Sequence, residues 1–244
     1  MAIAGQGTNL AIGFGSPEVV FPLTNVANAS LSRDGRWLAC TAGPNEVWLL
    51  DLQNPKDATL LGRQRSALMV AVSPNGQWVA SGNWHGYDGV WIWNTSTREV
   101  VKRIPMGQVK PDWSPDGRWV SITGITEDQH FKFLVLEAHS WRVRHESESL
   151  ASMGSCAFSP DSRLVGFVSD GGRAIRLHEV GSFRQLATLE APNHGAVGWL
   201  AFSSDGDRLA ALEYRQGIQI WDLPRLREEL RARGLDWEPL RQAR

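Results

Sequence analysis

An all-β chain of repeated four-stranded units is the fold class this sequence predicts, and three observations predict it. The first is a turn that recurs. Ser114-Pro115-Asp116-Gly117-Arg118-Trp119-Val120 reads as the end of one strand, a tight turn and the start of the next. Ser32 to Leu38, Ser73 to Val79, Ser159 to Val165 and Ser203 to Leu209 repeat it. Asp or Asn followed by Gly suits a hairpin that requires positive φ, and Trp-Val or Leu-Val beyond it favours a strand. The second observation is spacing. The turn residues Asp34, Asn75, Asp116, Asp161 and Asp205 lie 41, 41, 45 and 44 residues apart, which marks an internal repeat. The third is that each interval holds short apolar runs in one order, strands a to d. Regular four-stranded units of ~40–45 residues are the signature of a β-propeller.

Taken in order, residues 1–17 are Gly-rich and nearly uncharged, and read as a flexible arm in which Leu10-Ala11-Ile12 adds at most a short strand. Residues 18–23 read as a single strand ahead of the first repeat. The repeats then place strands at 27–31, 37–41, 47–52 and 58–61; at 67–72, 78–81, 90–93 and 99–104; at 111–113, 119–123, 131–136 and 141–145; and at 156–158, 164–168, 174–178 and 185–189. The fifth repeat offers 199–202, 209–212 and 218–221 and lacks strand d. One surplus strand at the start and one missing at the end are both explained if 18–23 serves as the outer strand of the last sheet, closing the ring and removing exposed edges. The same strand also fits a partial ring completed by another chain. After 222 the pattern changes. Pro224 suits the first turn of a helix, Leu223, Leu226 and Leu230 share a face, and Gly234 is a stop, so 223–244 reads as a short helix and a tail, Leu235 and Trp237 included, that folds back on the propeller.

A formal net charge of −1 over 244 residues gives no electrostatic case for nucleic acid or an anionic membrane. The local basic group Arg63, Arg65, Lys102, Arg103 and Lys110 reads as solvated surface. The two cysteines, Cys40 and Cys156, sit inside strand runs and read as buried thiols. With no basic start, no long apolar run and no zinc spacing, a cytoplasmic protein without metal or cofactor is expected.

Ile218-Gln219-Ile220-Trp221-Asp222-Leu223 resembles the strand-c ending that names the WD40 repeats, and Val90-Trp91-Ile92-Trp93-Asn94 is a near match. Ala157 to Asp161 and Trp199 to Ser203 resemble the family's strand-a ending. The tail resembles the C-terminal end of WD40 domains in large bacterial multidomain proteins, some linked to kinases, although no kinase motif is present here. The resemblance covers about residues 18–222. It implies a buried tetrad of His, Ser, Asp and Trp in each blade. Ser81, Asp88 and Trp93 match three of its places, and no His stands near 63–66. Leu50-Asp51, Leu136-Glu137 and His178-Glu179 depart from the dipeptide, so most blades are expected to hold by packing. WD40 rings usually have seven blades, whereas five are recognisable here.

The resemblance also implies a non-catalytic protein-interaction scaffold that docks partners on the face formed by the d–a and b–c loops. The loop Gly82-Asn83-Trp84-His85-Gly86-Tyr87-Asp88 is the richest of these, and Trp, Tyr and Arg dominate interface hot spots. Trp84, His85, Tyr87, Arg65, Lys110, Tyr214 and Arg215 are therefore the candidate partner-binding residues, with His130 beside them. The alternative reading of Trp84 is that it covers the neighbouring blade. A second function is a partial propeller that forms a homo-oligomer or pairs with a completing chain. A third, a five-bladed glycosidase, needs paired carboxylates on the inner strands, where Asp112 is the only acid.

Overall fold

Each repeat carries one small network of side chains at its first turn. In the computed structural model, Ser32 Oγ donates to Asp34 Oδ1 at 2.5 Å, and the same hydroxyl accepts from the Trp37 backbone N–H at 2.8 Å. Asp34 Oδ1 also accepts from the Arg36 N–H at 3.0 Å. The pattern recurs with Ser73 and Asn75, Ser114 and Asp116, Ser159 and Asp161, and Ser203 and Asp205. The Ser32 hydroxyl holds the Asp34 carboxyl below the usual carboxylate range, and Ser203 does the same for Asp205. The turn differs from the expectation in one respect. The Asp and Asn residues do not adopt positive φ. That conformation falls to the next residue, Gly35, Gly76, Gly117 and Gly206, with φ between 70° and 80°. The acid is there for its oxygen, which closes an Asx-type turn, and the glycine alone is there for its backbone.

The structure describes residues 2–6, 9–13, 19–21, 23, 25–43, 45–54, 58–149, 156–190, 196–214 and 217–236. The first repeat forms the strands Asn28–Leu31, Trp37–Ala42, Glu46–Asp51 and Ala58–Arg63, and the second forms Ala67–Val72, Trp78–Asn83, Val90–Asn94 and Val100–Ile104. The third has Gly107–Trp113, Trp119–Ile125, Phe131–Glu137 and Val143–Ser149; the fourth has Cys156–Phe158, Leu164–Ser169, Ala174–Glu179 and Gln185–Glu190. These four repeats share one strand order, each strand following its predecessor in sequence. The fifth repeat is three-stranded, Val197–Phe202, Arg208–Glu213 and Gly217–Asp222. All five repeats match the sequence expectation in strand number and order, with strand ends shifted by up to four residues.

The N-terminal segment departs from it. Ala2–Gln6, Asn9–Gly13 and Val19–Phe21 form a three-stranded antiparallel sheet of their own. Strand structure therefore extends through the expected flexible arm, and Val19–Phe21 pairs with Asn9–Gly13 instead of serving as the outer strand of the fifth sheet. The physical reason is local: a short hairpin and a nearby strand close at far lower entropic cost than a pairing across the whole chain.

The chain divides into two units, Met1–Trp113 with Gly124–Gln129, and Ser114–Thr123 with His130–Arg244. In the first, Ala39, Val47, Leu49 and Leu61 of the first repeat pack against Val70, Val72, Val79 and Trp93 of the second. The Trp37 ring lies over the second repeat's turn so closely that a Cβ at Gly76 would stand 2.0 Å from it. Strands of adjacent repeats are also tied by side chains: the Val70 N–H donates to Asn28 Oδ1 and the Val72 N–H to Ser30 Oγ, both at 3.2 Å. Cys40 lies in this unit as a buried free thiol, and burial pushes its pKa up to about 12.

In the second unit, Trp119, Phe133 and Val135 pack on Cys156, Phe158, Val165, Phe167 and Phe183, and Trp119 meets Phe183 edge-on at 5.2 Å. His145 and His178 join this aromatic layer with ring centroids 5.0 Å apart, and burial holds both imidazoles below their ordinary pKa. A second core joins Ala157, Val168, Ile175 and Leu189 to Val197, Leu200, Leu209 and Ala211. The helix Leu223–Ala232 starts at Asp222, whose side chain accepts from the Arg225 N–H at 3.0 Å, and Leu226 packs on this core. Its end follows the Schellman pattern: Gly234 has φ 70° and the Leu235 N–H reaches the Leu230 carbonyl at 2.9 Å. Leu235 itself is 67% exposed and does not fold back on the sheets. Asp236, held by Arg227 and Arg231, draws the tail along the helix instead. Trp237 lies outside the described residues. Among the described residues no helix is long and apolar enough to cross a membrane.

The fourth turn replaces glycine with Ser162, at φ 59°. Its Oγ accepts from the Asp116 backbone N–H at 2.9 Å, linking the turns of the third and fourth repeats. Ser162→Ala, which keeps the strained backbone and loses that bond, is expected to lower stability by about 1–2 kcal/mol in denaturant unfolding. Ser162→Gly relieves the left-handed strain, worth about 1 kcal/mol, and should fall between alanine and the wild type.

Candidate docking site

The loop between the second and third strands of the second repeat is fixed from within. Asn83 is fully buried; its Nδ2 donates to the carbonyls of His85 (2.9 Å) and Gly86 (2.7 Å), and its Oδ1 accepts from the Gly89 N–H at 2.9 Å. Gly86 and Gly89 turn with φ of 81° and 83°. At Gly89 a Cβ would stand 1.9 Å from the Ile104 carbonyl oxygen, so the close approach admits only glycine. The Trp84 N–H donates to the Ser66 carbonyl at 3.0 Å, which seats this loop against the connection that carries Arg65.

On that frame Trp84 is half-buried, while His85, Tyr87 and Arg65 are exposed and Lys110 is partly exposed. The Tyr87 ring rests against Gly107, where a Cβ would come within 3.1 Å of it, and its hydroxyl accepts from Gln129 Nε2. The first unit thus brings together Trp84, Tyr87 and Arg65 and adds Gln129, which no sequence signal marked because an isolated loop glutamine carries no pattern. Tyr214 belongs to the second unit, half-exposed, with its ring over Gly198. His130 is also exposed there. Arg215 lies outside the described residues.

Beneath the loop runs a buried polar chain. Trp93 Nε1 donates to Ser81 Oγ at 2.8 Å, Ser81 Oγ donates to Gln64 Oε1 at 2.5 Å, and Gln64 Nε2 donates to the Gly89 carbonyl at 2.7 Å. Gln64 and Ser81 are both fully buried. The place where the WD40 resemblance asks for histidine is filled by Gln64, whose amide offers an acceptor and a donor as a neutral imidazole does. The acidic place is filled differently. The Asp88 carboxylate stays outside the chain, because the Gly89 carbonyl already accepts from Gln64; the Asp88 carbonyl instead accepts from Trp91 Nε1 at 2.9 Å. Trp91 in turn carries the Arg103 guanidinium 4.0 Å above its ring. Asparagine at 83 and a backbone carbonyl at 89 therefore do the work of the family's turn aspartate.

Asp112 is the acid on the strand Gly107–Trp113. Burial pushes its pKa up to about 6, against the opposing pull of Lys110 and of the Trp113 N–H, which donates to Asp112 Oδ1 at 2.9 Å. Among the described residues no three His, Cys, Asp or Glu side chains converge as a metal site.

Gln64→Ala strips partners from both Ser81 and the Gly89 carbonyl, and is expected to cost about 1–3 kcal/mol in chemical denaturation, with Gln64→His recovering part of the loss. For Asp112 the folded pKa lies above the ordinary 3.8, so its charged form is disfavoured in the native state. Its penalty is full above about pH 6 and disappears as the pH falls through 6 toward 3.8. Asp112→Asn should therefore raise the melting temperature by a few degrees at pH 8 and leave it unchanged near pH 3.5.

No family model matches the chain. An uncharacterized WD repeat-containing protein of Synechocystis sp. (strain ATCC 27184 / PCC 6803 / Kazusa) is 25% identical over 183 residues, 73% of this chain. The chain spans 38% of that relative's length. Among solved structures, Kuenenia stuttgartiensis hydrazine synthase superposes with a TM-score of 0.62 at 16% identity, over 82% of this chain and 62% of that one. Identity that low speaks to fold alone, and the enzyme's activity does not follow it. The repeated turns, the four-stranded sheets they join and the superposition agree on a β-propeller-like fold, and the chain is similar in sequence to a WD repeat-containing protein.

Proposed function

We propose that the chain is a non-catalytic protein-docking module whose contact surface in the first unit centres on the 83–89 loop. The observation that carries this reading is the loop's construction: aromatic side chains, Trp84 and Tyr87, are held partly open to solvent on a backbone that Asn83 and Gly89 pin in one shape. Rigid aromatic anchors bind at low entropic cost, which is what a hot spot requires. Arg65, His85 and Lys110 add polar and basic groups at the rim, suited to a partner segment that mixes acidic and apolar residues. Tyr214, and Arg215 beside it in sequence, are candidate contacts of the second unit. The WD-repeat likeness supports a scaffold role, and the near-zero net charge supports a protein partner over nucleic acid or a membrane surface. A cytoplasmic setting fits the two buried free thiols.

Affinity capture with the wild type and with Trp84→Ala/Tyr87→Ala tests the reading. The double variant should lose a specifically retained protein partner by at least tenfold while melting within about 2 °C of the wild type. A large fall in melting temperature would assign both rings to the core and remove the site.

A further inference from the structure

Two imidazoles stand in the aromatic layer between the third and fourth sheets, His145 on the strand Val143–Ser149 and His178 on Ala174–Glu179. The His145 ring stacks on Phe183 at 5.3 Å between centroids, and the His178 ring lies 5.0 Å from Phe167. The two imidazoles are themselves 5.0 Å apart. His178 Nδ1 is 2.9 Å from the Phe183 carbonyl oxygen. That oxygen can only accept, so Nδ1 carries the hydrogen and Nε2 keeps its lone pair. Nε2 of His178 and Nε2 of His145 are both buried without a hydrogen-bond partner among the described residues. Buried polar atoms are ordinarily satisfied, and here two adjacent rings leave the same atom open.

We propose that this pair is an acid-operated release of the contact between the third and fourth sheets. Neutral, the two rings pack as further aromatics of the layer. Protonated at Nε2, each acquires a charge and an N–H donor where no acceptor waits, beside a ring of like charge. No neighbouring element supplies a compensating carboxylate. On the strand of His145, Arg144 and Glu146 alternate to the other face, where they pair with Glu137 and Lys132 of Phe131–Glu137. On the strand of His178, Arg176 shares the face and is joined to Asp170 at 3.0 Å, while Glu179 alternates away and accepts from Ser182 Oγ. Trp119–Ile125 and Leu164–Ser169 carry no titratable group, and the Cys156 thiol lies 2.9 Å from the Ser121 hydroxyl. Residues 150–155, which follow the His145 strand, include no acid or base. After burial itself, the charges that act on the pair are therefore the other imidazole and Arg176, both positive in acid. Both rings lie below the ordinary 6.5 in the folded chain. Their packing contributes in full above pH 6.5 and is lost as the pH falls from there through the lowered folded values, because the unfolded chain takes up the protons first. The device is independent of the 83–89 loop, and either can fail without the other.

Thermal unfolding of the full chain from pH 8 to pH 5 tests the proposal, with His145→Phe/His178→Asn as the comparison. Phenylalanine keeps the stack on Phe183, and the asparagine amide keeps a donor for the Phe183 carbonyl. Asp112 titrates in the same range with the opposite sign, so the difference between the two proteins is the measure. Across that range the wild type should lose at least about 5 °C more in melting temperature than the variant. Parallel profiles overturn the proposal. Imidazole nitrogen NMR of the wild type, which needs no variant to fold, should show both rings mainly uncharged at pH 6.5 and His178 in the Nδ1–H form. A ring half protonated at that pH or above it overturns the proposal. Amide exchange, corrected for its intrinsic pH dependence, should quicken at least tenfold between pH 7 and pH 5 in 143–147 and 174–179. An equal rise in 67–72, in the other unit, overturns it, since the loss would then be general.

Discussion

Burial of both faces of the second strand in each of the first four repeats is the constraint on which this structure depends. A sheet with one wet side can alternate apolar and polar residues, but these strands are apolar on both. Trp119–Ile125, for example, is buried at every position. A strand of that kind is stable only with apolar packing on both faces, so repeats within one unit complete one another. Trp37 over the Gly76 turn and Trp119 against Phe183 show the same dependence at the level of single rings.

The turn network explains how such a chain finds its register. A strand buried on both sides gives little guidance about which residues face which way, since a slip of one position exchanges one apolar face for another. The Ser hydroxyl and the Asp or Asn carboxyl or amide oxygen fix the first two strands of each repeat at a single alignment, because they satisfy specific backbone N–H groups. Local hydrogen bonding supplies the specificity that the apolar pattern lacks. The same logic, placed deeper, runs through Trp93, Ser81, Gln64 and Gly89, where one buried chain fixes the separation of strands and the shape of the loop above them. The 83–89 loop owes its fixed shape to that layer.

How much was legible in the sequence varies with the range of the interaction. The Asp-Gly turns, the strands they join and the helix after Asp222 are local features, and the chain reads them out correctly. The role of aspartate in the turn was less legible, because tolerance of positive φ and a side-chain hydrogen bond select similar residues, and only geometry separates Asp34 from Gly35. The Gln64 chain was hidden for a related reason. A search for histidine finds nothing at 63–66, while an amide with the same donor and acceptor capacity performs the task. Gln129 reaching Tyr87 had no signature at all, since the two residues are joined by folding and not by spacing.

The sequence by itself determined the repeat, its four-strand order and the turn at each hairpin, because each depends on residues within one 40-residue interval. Tertiary structure decided where the N-terminal strands pair and which groups take the place of the aspartate that the WD40 resemblance implies beneath the loop. Those outcomes turn on contacts between distant segments, where several partners of similar chemistry compete and only the packed chain selects one.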